Sequence, residues 1–237
     1  MTGPAADTGA GTGEGAPAPI RIVVADDERM VRTALRAILS AEPDLAVIGE
    51  AVDGAEAVSV VRELAPDVVL MDVRMPGIDG IRATERILAD APGTGGTPRI
   101  LVVTTFENDA YVYDALRAGA AGFLLKRAAA EDLVAAVRLV ARSDSLLFPS
   151  ALRSLAASYG GPAAGSPPPW AARLTEREAD VLRLMATGLT NAEIAGRMAI
   201  GPATVKTHVA SVLAKTGTRD RTQAVIAAYE SGFVSPR

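Results

Sequence analysis

Five polar positions in this chain could do chemistry together. Asp26-Asp27 follows the apolar run Ile20-Arg21-Ile22-Val23-Val24-Ala25, and Asp72 follows Val68-Val69-Leu70-Met71. Thr104 ends Ile100-Leu101-Val102-Val103, and Lys126 follows Gly122-Phe123-Leu124-Leu125. Each run has the length and composition of a strand buried on both faces of a parallel sheet. A carboxylate at the C-terminal end of such a strand stands in the crevice where open α/β sheets place their chemistry. Three carboxylates converging there would repel one another and call for a cation. Hard oxygen ligands in small number favour Mg²⁺, which keeps waters and accepts phosphate oxygens. Lys126 adds a positive charge suited to a phosphoryl group, and Thr104 adds a hydroxyl donor. The set fits phosphoryl transfer onto a carboxylate, with Asp72 as nucleophile and the metal and Lys126 neutralising the migrating charge. Taken singly, each residue has a plainer use: Asp26-Asp27 could cap a helix, Phe123 could be core, and Lys126 could be a solvated strand end.

The elements that must position these residues follow from periodicity. After the first strand, Met30, Val31, Leu35, Ile38 and Leu39 recur at helical spacing. A strand is expected over 45–48, helices over 54–64 and 80–88, a Gly/Pro-rich loop over 91–98, a helix over 108–118 and a last helix over 131–141. Pro76, Gly77 and Gly80 separate the Asp72 strand from its helix. Five β-then-α units predict an α/β doubly wound, five-stranded parallel sheet with helices on both faces.

Residues 1–19 are rich in Gly, Ala, Thr and Pro without a basic cluster or apolar core, and read as a disordered tail rather than a signal peptide. No run of about 18 apolar residues predicts a membrane span. The absence of cysteine excludes a disulfide framework and thiolate metal sites, and suits a cytoplasmic protein. Charge is uneven. Residues 1–170 hold 15 Lys and Arg against 22 Asp and Glu, whereas 171–237 hold 9 against 6. An acidic larger part joined to a basic smaller part makes nucleic acid a candidate partner for the second.

The segment 143–172 is read as a linker, with a short helix expected over 150–158 and a stiff stretch at Ser166-Pro167-Pro168-Pro169-Trp170. From 173 to 237 the pattern is helical throughout. Thr175-Glu176-Arg177-Glu178 is a capping box opening a helix to Met185. Thr190 caps a helix over 191–198, Gly201-Pro202 starts one running to Lys215, and a fourth covers 220–229. This is an all-α, four-helix domain in which the second and third helices form a helix-turn-helix, whose second helix enters the DNA major groove.

The receiver domain of two-component response regulators is what residues 20–142 resemble, through Asp26-Asp27, Asp72 with Pro76-Gly77 four residues on, Thr104-Thr105 and Lys126. The resemblance implies that Asp72 accepts a phosphoryl group from a sensor histidine kinase. It also implies Mg²⁺ held by Asp27, Asp72 and the Arg74 backbone carbonyl directly and by Asp26 through water, with Thr104 and Phe123 as switch residues. Arg127 stands where many receivers have proline. Leu174-Thr175-Glu176-Arg177-Glu178, Gly188-Leu189-Thr190-Asn191-Ala192-Glu193-Ile194-Ala195 and Thr204-Val205-Lys206-Thr207-His208-Val209 closely resemble the LuxR-type DNA-binding domain. Together the two make the chain similar to a NarL/FixJ-type regulator.

For the second domain the resemblance implies duplex-DNA contacts by Thr190, Asn191, Thr204, Lys206, Thr207 and Lys215, and homodimer contacts on phosphorylation by Val225, Ile226 and Tyr229. Ala210 departs from the pattern, since relatives often carry a basic or polar residue there. His208 is as well read as a packed or solvated helix residue, and Lys215, Arg219 and Arg221 as plain surface. Two rival functions stand beside a phosphorylation-gated transcription regulator. One is a Mg²⁺-dependent phosphohydrolase, against which the sequence offers no second acid two residues after Asp72. The other is a regulator controlled by a ligand rather than phosphate, against which the full acidic set argues.

Overall fold

The computed structural model describes residues 18–90, 96–105, 109–142 and 168–235. Most of the expected tail and linker, including the short helix at 150–158, lies outside the described residues. The first domain alternates β1 (Ile20–Ala25), α1 (Arg29–Ser40), β2 (Leu45–Ala51), α2 (Gly54–Leu64), β3 (Val68–Met71), α3 (Gly80–Ala89), β4 (Arg99–Thr104), α4 (Asp109–Ala118), β5 (Gly122–Leu125) and α5 (Ala130–Arg142). All strands are parallel, in the order β2-β1-β3-β4-β5. Chain order reverses beside β1, so the ends of β1 and β3 flank the crevice that this topology opens.

Strand alternation divides the core into two layers. Ile22, Val24, Leu70, Leu101 and Val103 face α1 and α5, meeting Leu35, Leu39, Leu133 and Val137. Val23, Val69, Met71, Ile100 and Val102 face the other way, onto Ala57, Val61, Ala83, Ile87, Val112 and Leu116 of α2, α3 and α4. Each such fully buried aliphatic side chain contributes about 2 kcal/mol of transfer free energy. Strand β2 runs three residues past its expected end. Glu50 and Ala51 pair with Val24 and Ala25 after a register shift between Ile22 and Val23, so backbone pairing overrides the Gly and Glu that signal a strand end.

Asp53 and Asp79 cap α2 and α3 through side-chain bonds to backbone N–H groups, while α1 begins at Glu28 with no side-chain cap. The Asp26-Asp27 pair is therefore not the cap of α1. Gly80 brings α3 hard against the end of β3: a Cβ there would sit 1.8 Å from the Asp72 carbonyl oxygen. Gly77 turns the loop between them at φ +71°.

A 3₁₀ turn (Ala171–Arg173) leads into α6 (Glu176–Ala186), α7 (Asn191–Met198), α8 (Pro202–Thr216) and α9 (Arg221–Glu230). The expected capping box of Thr175 with Glu178 forms, and Thr190 caps its helix as expected, in a second box with Glu193. Ala199 ends α7 in the left-handed region at φ 54°, making the turn of the helix-turn-helix. Trp170 packs its ring 5.2 Å from Phe233, which Arg183 covers from 5.1 Å, so the end of the linker is pinned to the end of the chain.

The two domains touch through α9 and α4. Thr222 Oγ1 donates to the Ala121 carbonyl at 2.7 Å, and Gln223 Nε2 donates to the carbonyls of Leu116 at 2.6 Å and Ala120 at 3.3 Å. Arg99 pairs with Asp220 at 3.3 Å, and Glu230 accepts from Tyr113 at 2.9 Å and pairs with Arg117 at 3.1 Å.

Candidate functional site

The four strand ends meet where expected. Asp26, Asp72 and Thr104 are 1%, 5% and 2% exposed, and Lys126 leaves β5 into the same notch. Lys126 Nζ lies 2.7 Å from Asp26 Oδ2, 3.3 Å from Asp72 Oδ2 and 3.7 Å from Glu28 Oε1. The other oxygen of each buried aspartate is held by backbone: Glu28 N–H donates to Asp26 and Val73 N–H donates to Asp72, both at 2.9 Å. Asp27 stays exposed, yet oxygen atoms of Asp26, Asp27 and Asp72 lie within 4.8 Å of one another. Among the described residues these three form an acidic group able to hold a metal ion. The donor set, all carboxylate oxygen with one exposed member, suits a hard, partly hydrated divalent cation.

Charge is unbalanced in this notch. The Asp72 carboxyl is raised to about 6: burial raises it most, Lys126 opposes that, and the charge of Asp26 adds to it. Burial acts against the Lys126 ammonium, but its bond to Asp26 and the charge of Asp72 outweigh that and raise its pKa. One ammonium thus serves several carboxylates, and Asp72 is the one left most poorly compensated.

Thr104 is tied to Lys126 through the backbone, its carbonyl accepting the Lys126 N–H at 2.8 Å. Phe123, on β5 just before Lys126, is half-buried against the α2–α4 layer, and Arg74 is exposed on the loop after Asp72. Two contributors escaped the sequence reading. Glu28 supplies both a backbone donor and a carboxylate at the mouth, and its position right after Asp26-Asp27 was the available signal. Arg32 on α1 donates from Nη1 to the Asp26 carbonyl at 2.8 Å and the Asp27 carbonyl at 3.3 Å, and from Nε to Glu50 at 3.2 Å. Nothing local marks that pairing.

In the second domain α8 presents Thr204, Lys206 and Thr207 to solvent, while Val205 and Val212 face the core. This side of α8 is therefore exposed in this arrangement. Thr190, at the start of α7, is engaged with Glu193 in its capping box. Three expectations need correction. Lys215 turns inward, its Nζ 2.6 Å from Glu178, which also accepts from Ser211 at 2.6 Å. Asn191 is buried and accepts from Arg221 Nη1 at 3.0 Å instead of facing phosphate. Val225, Ile226 and Tyr229 lie in the protomer's own core, with Tyr229 donating to the Ala186 carbonyl at 2.9 Å, so they offer no surface to a second copy here. The reasons differ: α9 packs on its own domain and on α4, which covers Val225, Ile226 and Tyr229, whereas Lys215 and Asn191 are taken up inside the helical domain by charged partners, Glu178 on α6 and Arg221 on α9.

Comparison with known proteins identifies this architecture. Residues 22–138 match the model of the response regulator receiver domain, and residues 172–228 match that of bacterial regulatory proteins of the luxR family. The chain is 39% identical over 216 residues to the transcriptional regulatory protein LiaR of Bacillus subtilis, covering 91% of this chain and 100% of LiaR. It is 38% identical over 222 residues to the response regulator VraR of Staphylococcus aureus, covering 91% and 99% of the two chains. A solved structure of the Salmonella typhimurium RcsB response regulator aligns with a TM-score of 0.53 at 26% identity, over 88% of this chain and 97% of that one. The chain belongs to the two-component response regulators that join a receiver to a LuxR-type helix-turn-helix, the NarL/FixJ type. It is a phosphorylation-dependent, DNA-binding transcription regulator and not an enzyme. Among the described residues no helix is long and apolar enough to cross a membrane.

Proposed function

We propose that Asp72 is the phosphoacceptor and that its donor is the phosphohistidine of a sensor histidine kinase in the cytoplasm. The observation that carries this reading is the imbalance at the notch, a buried carboxylate raised to about 6 beside a single shared ammonium. An Asp72 carboxylate oxygen attacks phosphorus, the P–N bond to the donor imidazole breaks, and the imidazole leaves with the bonding pair and takes up a proton. Asp27, Asp72 and the Arg74 carbonyl hold Mg²⁺ in this reading, with Asp26 through water. When bound, that ion neutralises charge on the transferring oxygens. Lys126 is already within 3.3 Å of Asp72, close enough to follow a phosphoryl oxygen.

Phosphorylation adds about −1.5 to −2 charge in the notch. Thr104 turns to donate to it and Phe123 repacks. Strands β4 and β5 carry that change to their far ends, where Arg99, Ala120 and Ala121 hold α9. Loss of those contacts frees the face of α9 that carries Thr222 and Gln223 for a homodimer contact. Paired α8 helices then read half-sites in duplex DNA, with Thr204, Lys206 and Thr207 at the groove and Thr190 near phosphate. Differential binding of the phosphoryl group by the two arrangements is what shifts the population.

The test is acetyl phosphate with Mg²⁺, followed by sedimentation and footprinting on selected genomic fragments. Wild type should take up phosphate, dimerise and protect DNA more strongly, and Asp72→Asn should do none of these. Equal labelling of the two proteins would sink the assignment of Asp72.

A further inference from the structure

We infer that Arg32, held by Glu50, is a positioning residue for the metal-binding turn of the receiver. This rests on the reading of Asp26, Asp27 and Asp72 as a Mg²⁺ site. The turn between β1 and α1 must present Asp27 outward and Asp26 inward on two successive residues, with no helix cap to fix it. Arg32 supplies what the missing cap does not. Its Nη1 reaches back from the first turn of α1 to the Asp26 carbonyl at 2.8 Å and the Asp27 carbonyl at 3.3 Å. A guanidinium is a rigid planar fork, so fixing one edge fixes the other. Nε is fixed by Glu50 Oε2 at 3.2 Å, and the second oxygen of Glu50 accepts from Arg36 Nε at 2.5 Å. Glu50 itself is set in the β2 ladder opposite Val24, two residues before Asp26. The Arg36 guanidinium, and then that of Arg32, hold the Glu50 carboxyl below its usual range, so the anchor stays ionised.

The chain of support therefore runs from a strand, through a carboxylate and a guanidinium largely withdrawn from solvent (11% exposed), to the backbone of both aspartates. Such outer contacts orient the groups that touch the ion, and losing one costs about 10- to 100-fold in metal affinity.

The sign of the effect separates positioning from plain electrostatics. A cation beside three carboxylates repels a second cation, so if Arg32 contributed only its charge, Arg32→Gln would tighten Mg²⁺ binding. As a positioning residue, its loss loosens binding.

The experiment titrates Mg²⁺ alone into the full-length wild type, Arg32→Gln and Glu50→Gln by calorimetry. Melting temperatures are recorded without divalent ions, and acetyl phosphate labelling is followed against Mg²⁺ concentration. About tenfold weaker binding is expected in Arg32→Gln and a smaller loss in Glu50→Gln, with half-maximal labelling moved to about tenfold higher Mg²⁺ and the rate at saturating Mg²⁺ preserved. Unchanged or tighter binding in Arg32→Gln overturns the inference, even if its melting temperature falls, because a purely structural role would leave the Mg²⁺ constant unmoved. If Arg32→Gln does not fold, unchanged binding in Glu50→Gln overturns it alone. Wild type that fails to bind Mg²⁺ removes the metal reading itself and this inference with it.

Discussion

Lys126 and Lys215 occupy like positions in the two domains, each an ammonium set against carboxylate in a partly closed pocket, and their surroundings drive the carboxylates in opposite directions. Lys215 serves one partner. Glu178 takes its ammonium and the Ser211 hydroxyl and is drawn from 4.5 down to about 2, first by the Lys215 bond and then by Ser211. Lys126 is divided among Asp26, Asp72 and Glu28, and Asp72 rises from 3.8 to about 6 as burial outweighs its share of that charge. A balanced pair holds a fold together. An unbalanced set waits for a further positive charge, and this is the difference between a structural polar cluster and a site.

Three substitutions would break or sharpen that contrast. The largest effect belongs to Lys126→Met, expected to slow phosphoryl uptake from acetyl phosphate by about 100-fold, as when one preorganised donor to a developing oxyanion is lost. Rates measured at saturating Mg²⁺ check it, and a rate within threefold of wild type would mean that the ammonium is not part of the reaction.

Next is Glu178→Gln, which should cost about 2 kcal/mol of stability at neutral pH, the scale of lost hydrogen bonds to a charged group. The sign with pH follows from the depressed value. The contribution is present above 4.5 and is lost as pH falls toward about 2, so urea melts of wild type should lose stability over that window while Glu178→Gln shows a flatter limb. Parallel limbs would show that the pair is not balanced after all.

The smallest effect has the opposite sign. A carboxylate raised to about 6 favours folding only while protonated: that stability is complete below 3.8 and gone once pH passes about 6. Metal-free Asp72→Asn should therefore melt higher than wild type at pH 7, by roughly 1 kcal/mol after allowance for solvent screening. It should lose that advantage at pH 4. A variant no more stable than wild type at pH 7 would mean the notch is not strained.

Much of this was legible in the sequence because it is local. Alternation of apolar runs with helical spacing gave all five βα units and the four helices, most bounds falling within a residue or two, and strand ends announced Asp26, Asp72, Thr104 and Lys126. What was missed is long-range pairing, which leaves no periodic trace. Lys215 was named as a DNA contact by the resemblance, with plain surface as the alternative, yet its partner sits 37 residues away on α6. Asn191 was read as a phosphate contact, yet Arg221, 30 residues on, claims its side chain. Arg32 and Glu50 are 18 residues apart on different elements, and only the sheet register brings them together. The covering of α9 by α4 was invisible for a further reason: α9 is buried nearly all round, which shows that a helix has partners on every side but does not name them.

Pinning of Trp170 on Phe233 has an experimental consequence, since the chain contains one tryptophan. Its emission comes from a single spot at the start of the DNA-binding domain, and any reorientation that pulls Trp170 off Phe233 exposes that indole to water. Intrinsic fluorescence thus follows the joint between signal and readout in unlabelled protein, in real time, as phosphodonor is added.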